Sequence, residues 1–223
     1  DLGGLRIFKK TMRQGQWRVT AALNGARVVA VYASEKTDIY GVAFDIGAGM
    51  IEAVLCNLSD GVDVARTRMI NPLVRFGADP VNRIASGMNK PADIPVMRDA
   101  LRHALDQLCG ELASHAKIDR NEIADAVFVA DPVCHHLLID LDPIELGAAP
   151  FTETISEPLE FKASEIGLAI APDAFVYALP LIAHHVGSDL SAAAFHCAMA
   201  GKDEPTLLID IGTTTEILLS AND

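Results

Sequence analysis

Apolar positions along this chain follow two spacings. From Tyr40 to Leu58 (YGVAFDIGAGMIEAVLCNL) they form near-continuous runs, Gly41 to Phe44 with Ile46 and then Met50 to Cys56, in which Glu52 is the one charge. Such runs suit strands in a largely covered sheet. The glycine-rich bend between them directs backbone N–H groups into one concavity, which suits an anion. Val62 to Met69, after the turn Ser59-Asp60-Gly61, predicts a third strand of the same meander. The spacing then becomes helical. Gly77 to Met88 predicts a short helix, and Pro91 to Ala116 a longer one whose stripe is Met97, Leu101, Leu105, Leu108 and Leu112. Asp93 is placed to cap that helix and Pro95 suits its first turn. Asp119 to Glu122 has capping-box spacing ahead of a buried strand, Ala124 to Val129. A helix start at Pro132 to Leu138, a strand at Phe175 to Leu179 and an alanine-rich helix at Ser188 to Met199 follow. Nearer the start, Trp17 to Leu23 and Arg27 to Tyr32 flank Asn24-Gly25, a hairpin signal. The polar stretch Ser34 to Asp38 predicts a linker and a domain boundary.

The first hairpin has an echo. Leu207 to Leu219 (LLIDIGTTTEILL) repeats apolar strand, Asp-Ile-Gly, loop and apolar strand. Two Asp-x-Gly bends on matching hairpins, at Asp45 and Asp210, predict two half-sites facing one ligand. Given the duplication, Asp45 and Asp210 are read as ligand-facing, the alternative being turn residues that satisfy nearby N–H groups. Asp189 opens the alanine-rich helix, where an N-cap is one reading. Glu216 either faces the ligand or faces solvent. His135-His136 and His184-His185 are read as structural, since adjacent residues diverge on a helix or strand. Arg75 fits a phosphate contact or a surface salt bridge.

Composition narrows the classes. At 223 residues and 50% hydrophobic content there is ample core for one large domain or two small ones. A net charge of -12 argues against nucleic acid as a partner. No apolar stretch reaches the ~20 residues of a membrane span, and no signal pattern is present, which predicts a cytoplasmic protein. Cys56, Cys109, Cys134 and Cys197 are far apart, so a locally bound zinc or iron–sulfur centre is not expected and buried free thiols are. Asp1 in place of methionine predicts a fragment or a processed product.

The order of elements, with Asp-x-Gly on the first hairpin of each copy, resembles the actin, sugar-kinase and heat-shock-chaperone superfamily of ATPases. The implied fold is α/β and ribonuclease-H-like: a three-strand meander, alternating helices and strands, and the start of a second half. A small β-hairpin segment precedes it. The expected divisions are 1–38, a connecting-domain remnant; 39–205, the first ATPase subdomain; and 206–223, the start of the second half. Asn71 to Ile84 (NPLVRFGADPVNRI), His135-His136-Leu137-Leu138, Leu146 to Phe151 (LGAAPF), Leu179 to Ala183 (LPLIA) and Val186 to Asp189 (VGSD) more narrowly resemble the reductive activators of corrinoid proteins. Those are ATP-dependent iron–sulfur proteins that return a cobalt(II) corrinoid to cobalt(I). The resemblance implies ATP and Mg²⁺ as cofactors between two phosphate loops, Asp45, Gly47 and Gly49 in the first and Asp210, Gly212, Thr213, Thr214, Thr215 and Glu216 in the second. Loop N–H groups and threonine hydroxyls would hold phosphate oxygens there. The resemblance places Asp45 and Asp210 near the metal, held mostly through its waters, and Asp189 as the catalytic carboxylate that orients the attacking water. It also implies a corrinoid protein as partner, a homodimer, and an iron–sulfur cluster on an N-terminal domain outside these residues. A sugar-kinase-like phosphotransferase and a non-catalytic scaffold are the alternatives. The first loop departs from the family's Asp-Ile-Gly-Thr-Thr-Thr, because Ala48, Gly49 and Met50 replace the threonines. At Ala130-Asp131 an aspartate stands where the family tends to have Gly-Asn.

Overall fold

The computed structural model describes residues 2–200 and 204–221, with side chains from residue 8 onward. The expected divisions after 38 and after 205 fall inside this range, whereas 1, 201–203 and 222–223 lie outside it. In chain order the elements are α1 (Leu2–Gln14), β1 (Thr20–Asn24), β2 (Arg27–Tyr32), β3 (Tyr40–Ile46), β4 (Met50–Asn57) and β5 (Val62–Ile70). Then come α2 (Pro80–Asn89), α3 (Asp93–Ala116), β6 (Ile123–Ala130), α4 (Pro132–Leu138), β7 (Leu159–Lys162) and β8 (Phe175–Ala178). The described part ends with α5 (Ser188–His196), β9 (Thr206–Ile211) and β10 (Thr215–Ser220).

The central sheet has six strands in the order β5-β4-β3-β6-β8-β7. Strands β3, β6 and β8 run parallel, and β4, β5 and β7 pair antiparallel to their neighbours. The meander β3-β4-β5 therefore supplies one wing, and helical crossovers place β6 and β8 on the other side of β3. Alternation along β3 and β6 sends Val42, Phe44, Ile46, Ala126, Phe128 and Ala130 to one face, where all are buried. The predicted stripe of α3 lies in the same core, with Met97, Leu101, Leu105, Leu108 and Leu112 each at 0% exposure. Ala43, Val54, Val127 and Val129 on the opposite face are only half-buried. The expectation of a covered sheet thus holds for the face under the helices.

Local details differ from the sequence reading for identifiable reasons. In the first hairpin Asn24 pairs with Arg27, so the turn residues are Gly25 and Ala26 rather than Asn24 and Gly25. Gly25 takes φ 58, which glycine adopts without a Cβ penalty. Asp93 does not cap α3: the N-cap is Ala92, and the Asp93 carboxylate instead accepts from Lys90 Nζ at 2.6 Å and Ser86 Oγ at 3.2 Å. The capping box at Asp119 forms only in half. Asp119 accepts from Asn121 N at 2.8 Å, while Glu122 is drawn away by the ammonium of Lys36 at 2.5 Å. α5 stops at His196, short of Met199, because Cys197 caps it and Ala198 turns to φ 48. Neither α1 nor β7 was expected. The cysteines are free, and Cys109 and Cys134 are buried as expected, but Cys56 is half-buried and Cys197 exposed. No helix among the described residues is long and apolar enough to cross a membrane.

β9 and β10 form a separate two-stranded sheet. Leu208, Asp210, Glu216 and Leu218 occupy its half-buried side, and Leu207, Ile209, Ile211, Ile217 and Leu219 are exposed on the other.

Candidate functional site

Both Asp-x-Gly hairpins form, and their ladders match. Asp45 stands opposite Glu52 across β3 and β4, and Asp210 opposite Glu216 across β9 and β10. Like charges in directly opposed positions repel, so each hairpin carries an acidic pair that a bound cation would relieve. The second hairpin also reaches Asp45 of the first. The Asp45 carboxyl is pushed above its ordinary range first by burial, then by Glu52 and then by Asp210 of the second hairpin.

Asp189 joins this group from the first turn of α5. It does not cap the helix, since Gly187 is the N-cap, and its Oδ1 accepts from the adjacent Leu190 N–H at 2.9 Å. Burial raises its carboxyl, the Leu190 N–H opposes that, and the charges of Asp131 and Glu216 raise it further. Asp45 thus lies within electrostatic reach of Glu52 and Asp210, and Asp189 within reach of Asp131 and Glu216. No group of three His, Cys, Asp or Glu side chains among the described residues is arranged to hold a metal ion directly. Any Mg²⁺ here would be bound through its waters and a phosphate, as Mg²⁺ commonly is.

The loop between β3 and β4 is held from beneath by two fully buried polar residues. Asn71 donates from Nδ2 to the Gly47 carbonyl at 2.9 Å, and its backbone N–H reaches the Gly49 carbonyl at 3.0 Å. Arg83 donates from Nη2 to the Ala48 carbonyl, from Nε to Gly77 O at 3.2 Å and from Nη1 to Cys134 Sγ at 3.2 Å. Arg83 Nη1 also lies 3.7 Å from Asp131 Oδ2. Asp131 in turn caps α4, with Oδ1 accepting from Val133 N at 2.8 Å and Cys134 N at 2.9 Å. Burial, with Asp131 adding, pushes the Cys134 thiol well up, so it stays protonated. Asn71 and Arg83 belong to the stretch NPLVRFGADPVNRI, yet nothing in the sequence assigns them a role, because their partners are carbonyls of a distant loop. The second loop is internally closed by Gly212 N–H to Thr214 O at 2.9 Å, and Thr213, Thr214 and Thr215 are exposed.

Other candidates fall elsewhere. Arg75 is exposed and stacks over Phe76 with its guanidinium 4.7 Å from the ring centroid. His136 is buried, its Nδ1 lying 2.7 Å from Pro132 O and its Nε2 accepting from Thr154 N at 3.0 Å. His135 packs its ring 5.6 Å from that of Phe128, and burial lowers it to about 4. Both are neutral core histidines. His184 is exposed and paired with Glu153. Two cavities, about 580 Å³ beside Arg102 and Phe161 and about 480 Å³ beside Tyr32 and Asp173, line neither Asp-x-Gly hairpin.

The family model of the RACo middle region matches residues 40–202, from the start of β3 to just before β9. The chain belongs to the RACo middle region family. Its first hairpin, its crossovers and α5 lie inside that match, and the second hairpin lies beyond it. The chain is also similar to the corrinoid activation enzyme RamQ of Eubacterium limosum, with 27% identity over 226 residues, covering 100% of this chain and 38% of that protein. Among solved structures, a reductive activator for corrinoid, iron–sulfur protein superposes with a TM-score of 0.88 at 25% identity, covering 97% of this chain and 35% of that one. The superposition bears out the α/β, actin-like reading of the fold. This chain spans little more than a third of either relative's length.

Proposed function

We propose that this chain forms part of an ATP-dependent reductive activator that returns a cobalt(II) corrinoid protein to the cobalt(I) state. The observation that carries this reading is the pair of matched hairpins, each with its Asp-x-Gly bend and an acidic pair across its ladder, Asp45 with Glu52 and Asp210 with Glu216. These acidic residues would repel a bare polyphosphate, and they suit a nucleotide that arrives with Mg²⁺. Asp45 and Asp210 would hold that ion through its waters. Gly47, Gly49, Gly212 and Thr213 to Thr215 would line the phosphates, and Glu216 would stand beside them. Asp189, within electrostatic reach of Glu216, would orient the attacking water.

In this reading nucleotide turnover shifts the protein between two forms. To drive such a switch nearly to completion the nucleotide must favour one form by about 5.5 kcal/mol. The free, dispersed cysteines offer no ligand set for an iron–sulfur cluster among the described residues, so the electron would come from a cluster on another part of the protein. A homodimer in the cytoplasm, acting on a corrinoid protein, completes the proposal.

Calorimetry of Mg-ATP binding to the full-length protein tests it, with Asp210→Ala as the control. Binding by the wild type, weakened at least about tenfold by the substitution, is the expected result. Absence of binding by the wild type overturns it.

A further inference from the structure

The first loop lacks the hydroxyls that its counterpart carries at Thr213, Thr214 and Thr215. Whatever it offers an anion must come from its backbone, and so depends on which way its peptide groups face. In a trans peptide the C=O of one residue and the N–H of the next point in opposite directions. Among the described residues the cis bond is Ala149-Pro150, so the loop peptides are trans. The Gly47 carbonyl points inward to Asn71 Nδ2 and the Ala48 carbonyl points inward to Arg83 Nη2. The N–H groups of Ala48 and Gly49 therefore point outward, away from the two buried side chains. The Gly49 carbonyl, held by Asn71 N at 3.0 Å, closes the loop on the β5 side.

We propose that Asn71 and Arg83 are the positioning residues of a backbone-only phosphate cradle, holding the Ala48 and Gly49 N–H groups toward the phosphoryl oxygens of the nucleotide. This rests on the nucleotide reading above. Both side chains are at 0% exposure, and both are committed to more than the loop. Asn71 Oδ1 accepts from Leu73 N at 2.9 Å, and Arg83 is bonded to Gly77 and Cys134 as well. With that many ties neither side chain can swing away, which keeps the loop amides oriented before the ligand arrives. Preorganised donors of this kind need no reorganisation on binding. The guanidinium also places a buried positive charge behind the loop, and its nearest anion, Asp131, is already shared with the start of α4.

The test is hydrogen exchange by mass spectrometry on the full-length protein, with and without Mg-ATP, reading peptides across 46–52 and 210–216 together with Mg-ATP affinity. Asn71→Asp keeps the acceptor for Leu73 and replaces the donor to Gly47 with an oxygen. The double variant Arg83→Met with Asp131→Asn removes the buried cation without stranding its partner charge, and asparagine still caps α4. Wild type is expected to gain protection at both peptides. Each variant is expected to lose it at 46–52, retain it at 210–216, and bind Mg-ATP about 10- to 100-fold more weakly. A general loss of structure would instead speed exchange in α3 without nucleotide. Protection at 46–52 that survives in both variants overturns the positioning role and leaves the nucleotide reading standing. Protection confined to 210–216 in the wild type does the same, and protection at neither peptide overturns both.

Discussion

Gly187→Ala tests the join between β6 and α5, on which the placement of Asp189 depends. Gly187 has φ -76 and ψ 177, a conformation open to any residue, so its constraint is space alone. A Cβ there would stand 2.5 Å from the Ala130 carbonyl oxygen, 2.4 Å from Asp189 Oδ1 and 3.0 Å from Asp131 Cα. The Asp189 side chain can rotate away, but the Ala130 carbonyl belongs to a central strand and cannot. Relief must come from α5 moving off β6. Overpacking of this kind costs about 1–3 kcal/mol. The movement also stretches the bonds of Ser188 Oγ, which accepts from Ala130 N at 2.9 Å and donates to Ala130 O at 3.3 Å. Leaving that buried N–H unpaired costs about 1–3 kcal/mol more. The expected loss is about 2–6 kcal/mol, read as a fall in the urea midpoint at unchanged slope. Ser188→Ala alone removes only the second part, and the double variant should lose less than the sum, since both act on one joint. A Gly187→Ala protein within about 0.5 kcal/mol of wild type would show that α5 is not seated against Ala130 as described.

Leu105→Ala, in the fully buried stripe of α3, is expected to destabilise by about 2–5 kcal/mol in the same assay; a change under about 1 kcal/mol would place that face outside the core. Asp189→Asn is expected to stabilise the nucleotide-free protein at neutral pH. Burial raises the Asp189 carboxyl in the fold, so its contribution is present below the unfolded value of about 3.9 and is lost as pH rises through the higher folded one. The gap between variant and wild type should therefore be open at pH about 7 and close as pH falls toward about 4. Equal urea midpoints at neutral pH would contradict it.

The sequence disclosed what is local and periodic. The paired hairpins at Asp45 and Asp210, the apolar stripe of α3 and the strand at β6 could be read because each pattern lies within one short stretch. α1 was hidden by Gly3 and Gly4, which lower helix propensity, and β7 by its brevity among polar residues. Capping was misjudged at Asp93 and at Glu122 for one reason: lysines, Lys90 and Lys36, compete for those carboxylates, and their proximity is tertiary for Lys36. The support beneath the first loop was the least legible part of the site. Asn71 and Arg83 act on carbonyls of residues 47–49, and no side-chain pattern marks a backbone acceptor. Asp45 and Asp210 were found because Asp-x-Gly repeats; the opposition of each to a glutamate emerged only with the strand register.

The position of β3 has a kinetic consequence. It pairs with β4 through a tight bend on one side, and on the other with β6, which joins the sheet only after α2 and α3 have intervened. Closing the short hairpin is quick, whereas the parallel pairing must first close a long loop and is slow. Until β6 arrives, β3 presents an open, apolar edge able to recruit a strand from another chain. Productive folding is then a race between closing that loop and meeting a second molecule, won more often in dilute solution.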